Sequence, residues 1–120
     1  GNLDELTITG TSHVADGQNG RVSTYTISPE EVGLERATLE EIRGGATPAE
    51  SALQVREVLT GVPGPKLDMV LLNAGAALHA AGKSDTIKSG VALAREVVGS
   101  GAALKKLEQL LGFCRSVSAA

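Results

Sequence analysis

Lys66-Leu67-Asp68-Met69-Val70-Leu71-Leu72-Asn73-Ala74-Gly75-Ala76-Ala77-Leu78-His79-Ala80-Ala81 is the stretch whose reading decides the fold. Leu67, Val70, Leu71, Ala74, Leu78 and Ala81 recur at helical spacing and form one apolar stripe. Met69, Leu72, Ala76 and Ala80 make the opposite side apolar as well. A helix apolar on nearly every side reads as a buried central helix. Asn73 interrupts it, and the reading for a polar group there is a core amide bonded to a neighbouring backbone group. His79 is expected at the edge of this helix.

The segments on either side continue the helical theme. Upstream, Thr47-Pro48-Ala49-Glu50 has the form of a capping box with Pro at the first helical position. Ala52, Val55 and Leu59 follow at helical spacing with Val58 beside them, and Gly61, Pro63 and Pro65 end that element. Downstream, Gly82 closes the central helix, and Ser84 or Asp85 is expected to cap a third. Its buried face would come from Ile87, Val91, Leu93 or Ala94, and Val97 or Val98. Gly99-Ser100-Gly101 breaks it. A fourth helix is expected over 102–111 with Leu104, Leu107 and Leu111 inward, and residues 115–120 as a frayed tail, leaving a helical cluster over 47–112.

The first third of the chain reads differently. Residues 6–27 are rich in Thr, Val, Ile and Ser, which favour strands. A run at 11–15, the turn cluster Asp16-Gly17-Gln18-Asn19-Gly20, and the alternating run at 21–27 read as a β-hairpin. In it Ser23, Tyr25 and Ile27 face one way. Such a hairpin is marginal alone and needs a surface to pack on. Ser28-Pro29-Glu30-Glu31 reads as a short helical start ended by Gly33. Residues 38–43 read as another helical turn, closed by Gly44-Gly45.

The 120 residues suffice for one domain with a core. Hydrophobic residues at 42% and charged residues at 21% fit a globular protein. Aromatics are scarce, only Tyr25 and Phe113, so the core must be aliphatic. A net charge of −3 argues against a nucleic-acid surface. No apolar run reaches membrane-span length and no signal-peptide pattern stands out, so cytoplasmic residence is the expectation. The single Cys114 excludes an internal disulfide and reads as an inert residue at a helix end.

Asp4-Glu5 stands out as a pair of adjacent hard-cation ligands. Mg²⁺ binds through one or two carboxylates plus substrate phosphates, so the pair suits it. A solvated acidic pair is the competing reading on spacing alone. Gly44-Gly45 lacks the Lys and Ser/Thr of a phosphate loop, and Gly99-x-Gly101 lacks a preceding strand. His13 stands on a strand with no acid or nucleophile at readable spacing. Bottom-up, the residues give an architecture and one metal candidate, but no reaction.

Taken in order, these patterns resemble the C-terminal part of the anthranilate phosphoribosyltransferase family of tryptophan biosynthesis. The matching segments are Asn2-Leu3-Asp4-Glu5-Leu6, the hairpin with Thr11 and Val14, and Ile27-Ser28-Pro29-Glu30-Glu31-Val32-Gly33-Leu34. Leu39-Glu40-Glu41-Ile42-Arg43-Gly44-Gly45, Leu71-Leu72-Asn73-Ala74-Gly75-Ala76-Ala77-Leu78, Gly90-Val91-Ala92-Leu93-Ala94 and Ser100-Gly101-Ala102-Ala103-Leu104 continue the match. The resemblance implies an α/β fold class: a hairpin and about four helices forming the C-terminal part of a larger phosphoribosyl-transfer domain. It implies a glycosyltransferase that moves a phosphoribosyl group from phosphoribosyl pyrophosphate to anthranilate and releases pyrophosphate. Mg²⁺ is the implied cofactor, with Asp4 and Glu5 its ligands.

The departures carry expectations of their own. The family's Gly-rich diphosphate loop, its Lys-His-Gly-Asn-Arg segment and its anthranilate-positioning residues all precede the acid pair. So does the N-terminal helical domain that makes the dimer contact, which implies a homodimer for the full-length protein. Asn2 replaces the usual Gly and Ser51 the usual Asn. The expectation is a fragment that turns over nothing alone and self-associates. A non-catalytic interaction module derived from the same family is the alternative, and a nucleoside phosphorylase relative a weaker one.

Overall fold

The computed structural model describes residues 3–119. The Asn2 departure lies outside them. An antiparallel hairpin, β1 (Ser12–Gln18) and β2 (Arg21–Ile27), leads into a 3-10 turn (Pro29–Val32). Four helices follow: α1 (Pro48–Leu59), α2 (Pro65–Ala80), α3 (Ile87–Gly99) and α4 (Ala102–Ser118). This is the expected order of hairpin and helices, with local differences.

The hairpin turn is tighter than the five-residue cluster suggested. Gln18 pairs with Arg21, leaving only Asn19 and Gly20 at the tip, with φ of 53° and 75°. Two consecutive left-handed residues make the mirror-image turn whose twist matches the strands. Asp16 and Gly17 therefore belong to β1. Residues 38–43 form turns rather than a helix. Glu41 accepts from the Thr38 amide and hydroxyl at 2.7 and 2.8 Å, so the cap exists without a helix behind it. The cap of α3 is Thr86, not Ser84 or Asp85, and its hydroxyl accepts from the Ser89 amide.

The box at α1 also differs from its usual form. Thr47 accepts from the Glu50 amide at 3.2 Å, but the Glu50 carboxylate reaches back one residue further, to the Ala46 amide at 2.7 Å. Finally, α4 runs to Ser118, so residues 115–118 are helix rather than frayed tail. No Pro or helix-ending Gly interrupts the stretch, and Gly112 is tolerated within it. Cys114 lies within this helix and is exposed.

The buried core draws on β2, the 3-10 turn, α1, α2 and α3, with Val14 of β1 and Ala103 of α4 packed against it. Ile8, Leu71 and Leu72 are essentially inaccessible, and Ile27, Val32, Leu34, Val58, Leu67, Ile87, Val91, Ala94 and Val98 surround them. On α3 this resolves the open alternatives in favour of Ala94 and Val98. On α1 only Val58 is buried, while Val55 is 48% exposed. The central helix is not buried all round. Leu67, Leu71, Leu72 and Gly75 face inward, whereas Val70 is 40% exposed.

Two glycines set a close contact between α2 and α3. A Cβ on Gly75 would meet the Val91 amide nitrogen at 2.6 Å. A Cβ on Gly90 would meet the Gly75 carbonyl oxygen and the Ser84 Oγ. The backbones of α2 and α3 therefore touch, which fits a core with few large side chains.

Candidate functional site

Asp4 and Glu5 sit in a bend, both exposed, just ahead of a firmly anchored segment. Ile8 is fully buried, and its carbonyl accepts from the Ala37 amide at 3.1 Å. Leu6 is held by Asn73 on α2. The Leu6 amide donates to Asn73 Oδ1 at 3.0 Å, and Asn73 Nδ2 donates to the Leu6 carbonyl at 2.8 Å. The same Nδ2 donates to the Met69 carbonyl at 3.1 Å. Asn73 is thus the satisfied amide that the helix pattern required. The backbone it bonds is that of Leu6, the residue after the acid pair, 67 residues away in sequence.

The pair borders a recess of about 1110 Å³ lined also by Thr7, Thr9, Thr11, Ser12, His13 and Asn73. Its wall is rich in hydroxyls. Thr7 and Thr9 share a hydrogen bond between their side chains at 2.8 Å, and Ser12 Oγ accepts from the Thr7 amide at 3.1 Å. His13 reaches this wall from β1 but is exposed. Among the described residues no group of three acids, histidines or cysteines converges. Among the described residues the carboxylates lining this recess are the two adjacent, exposed ones of Asp4 and Glu5. That set fits Mg²⁺, which takes few protein ligands and completes its shell with water and phosphate oxygens. A cation needing a full protein cage is not suited.

A second cluster is not legible in the sequence. His79, in the last turn of α2, bonds Asp16 of β1: Nε2 to Oδ2 is 2.6 Å. Its Nδ1 lies 3.1 Å from the Ser84 carbonyl, and Tyr25 Oη donates to the same Asp16 oxygen at 3.2 Å. A carbonyl and a carboxylate only accept, so both contacts are hydrogen bonds at once when His79 is protonated and both ring nitrogens donate. The Asp16 hydrogen bond raises its pKa, and the Ser84 carbonyl adds to this. The His79 hydrogen bond correspondingly lowers Asp16. With both ring nitrogens engaged, His79 cannot serve as a general base. It fastens the hairpin to α2.

This latch has a pH window. His79 is raised above its unfolded value, so its contribution is complete below about pH 6.5 and fades as pH climbs through the folded value. Asp16 is lowered, so its contribution is present above about pH 4 and fades as pH falls through its folded value. We expect NMR titration of the His79 ring to move the amide resonances of β1 and β2 together as pH rises through the raised folded value. Hairpin resonances indifferent to that titration would contradict the latch.

The chain matches the family model described as "Glycosyl transferase family, a/b domain" over residues 1–104. It is 63% identical over 113 residues to an anthranilate phosphoribosyltransferase of Desulfotalea psychrophila, covering 94% of this chain and 32% of that protein. Among solved structures it resembles the anthranilate phosphoribosyltransferase of Thermus thermophilus. There the TM-score is 0.83 at 46% identity, with 94% of this chain and 33% of that one covered. It also resembles a variant of the Saccharomyces cerevisiae enzyme with Mg bound. That match has a TM-score of 0.78 at 27% identity, covering 98% of this chain and 33% of the other. The chain spans about a third of the length of the relatives it matches.

Proposed function

The chain belongs to the glycosyl transferase family, a/b domain, and from that premise we propose that it carries the metal-binding edge of an anthranilate phosphoribosyltransferase. The observation that carries the reading is the acid pair itself: two exposed carboxylates on an anchored bend, facing a hydroxyl-lined recess. Mg bound to the yeast relative supports the cofactor. In phosphoribosyl transfer, pyrophosphate leaves carrying several negative charges, so the chemical demand is electrostatic rather than one of proton transfer. Mg²⁺, when bound, neutralises that charge and orients the diphosphate. Asp4 and Glu5 hold the ion. Leu6, Ile8 and Asn73 hold Asp4 and Glu5 to the body of the domain. None of these residues contacts anthranilate in this reading, and the acceptor site lies elsewhere in the full-length protein.

The test is Mg²⁺-dependent consumption of anthranilate with phosphoribosyl pyrophosphate by the full-length protein, matched one to one by pyrophosphate. No consumption with either substrate in excess would refute the reading. The 120 residues expressed by themselves are expected to turn over nothing. They expose Leu110, Phe113 and Val117 along one stripe of α4, together with Leu53 on α1. Exposed apolar stripes of this kind favour association. Sedimentation should show concentration-dependent oligomers, and a clean monomer at high concentration would count against it.

A further inference from the structure

We propose that Asn73 is a positioning residue for the acid pair: it fixes the backbone from which Asp4 and Glu5 project, and so sets the affinity of their metal site. The inference rests on the Mg²⁺ reading of that pair. Its basis is the two-way clamp between the Asn73 amide and Leu6. The Leu6 N–H belongs to the peptide that joins it to Glu5. Holding that N–H fixes the peptide plane immediately after Glu5, and holding the Leu6 carbonyl fixes the next plane. The clamp is unambiguous in sense. Turning the amide over would aim Oδ1 at the Leu6 and Met69 carbonyls and the NH₂ group at an N–H.

The chemistry of α2 makes the choice of residue pointed. Asn73 lies among apolar neighbours on a core helix, where a polar group carries a desolvation cost unless it is bonded. Leucine would serve packing as well. What only the amide supplies is a donor and an acceptor side by side, copying the edge of a β-strand for one residue of a distant segment. Without it, the first fixed backbone group after the acids moves from the Leu6 amide to the Thr7 amide, which donates to Ser12 Oγ, with the buried Ile8 beyond it. Leu6 and the peptide that joins it to Glu5 then gain backbone freedom, and a metal must order them on binding. Groups that orient metal ligands in this way typically change affinity by about 10–100-fold when lost.

The experiment uses Mn²⁺ as the probe, in the full-length protein with pyrophosphate, its binding followed by electron paramagnetic resonance. Asn73→Ala is expected to weaken Mn²⁺ by about 10-fold or more while the folded fraction binds anthranilate as before. In the wild-type protein the Leu6 amide should exchange its hydrogen slowly while the Asp4 and Glu5 amides exchange fast, a measurement that no folding defect can confuse. Mn²⁺ affinity lost in the Asp4→Ala/Glu5→Ala variant but unchanged in Asn73→Ala would overturn this inference alone, as would a rapidly exchanging Leu6 amide. Affinity unchanged in the double acid variant would overturn the metal reading beneath it.

Discussion

Gly90→Val should unfold the domain or lower its melting temperature by about 10 °C or more. A Cβ at this position falls on the Gly75 carbonyl oxygen and within 2.8 Å of Ser84 Oγ and 2.9 Å of the Gly75 carbonyl carbon. Backbone atoms cannot rotate away as a side chain can, so α3 must move off α2. That movement also opens the contacts of Val91 and Ala94 with the core. Overpacking of this kind costs about 1–3 kcal/mol and sometimes more, a large share of a domain's stability. Helix propensity works in the opposite direction and is too small to compensate, about 1 kcal/mol for Gly→Ala. A control separates the two effects. A Cβ on Gly112, inside α4, would meet nothing within 4 Å. Gly112→Ala should therefore be neutral or mildly stabilising. Thermal unfolding of the two variants side by side checks both, and a Gly90→Val protein as stable as wild type would show that the helices do not touch.

The second large effect concerns the acids. Replacing both Asp4 and Glu5 by Ala in the full-length protein should reduce kcat on the order of 100-fold and raise the Mg²⁺ concentration needed for half-maximal rate. Melting temperature should be unaffected, because both side chains are exposed and make no hydrogen bond or ion pair among the described residues. That combination, a stable protein with an altered metal requirement, distinguishes a binding role from a structural one. The pair has two exposed carboxylates and, among the described residues, no third acid, histidine or cysteine that converges on it. Excess Mg²⁺ should therefore recover part of the loss, since diphosphate oxygens and water still offer ligands. A double variant with unchanged Mg²⁺ dependence would return Asp4 and Glu5 to the status of a solvated surface pair.

Local chemistry makes the elements readable. Asn19-Gly20 marks the hairpin, Thr47-Pro48 the start of α1, and the apolar run at 66–81 the central helix. What escapes a sequence reading shares one cause, which is information that lies between distant residues. Nothing near His79 announces Asp16, which is 63 positions away and sits in a cluster of turn residues. Nothing near Gly75 announces Gly90, although each is small because of the other. Asn73 is legible as a bonded amide, but its partner, Leu6, is not. The end of α4 escapes because a polar and small-residue tail reads as frayed, although no helix breaker stops it. The acid pair is the opposite case. Its residues are plain in the sequence, yet spacing leaves the solvated and metal-binding readings both open. The resemblance to a family tilts that choice, and the anchored bend beside a hydroxyl-lined recess adds a physical reason for it.

The most direct measurement is anomalous scattering from Mn²⁺ in crystals of the full-length protein grown with phosphoribosyl pyrophosphate. The expected result is a metal peak in direct coordination with carboxylate oxygens of Asp4 and Glu5 and with the diphosphate. A peak on the diphosphate with both carboxylates out of coordination reach would contradict the assignment of this pair as the metal site.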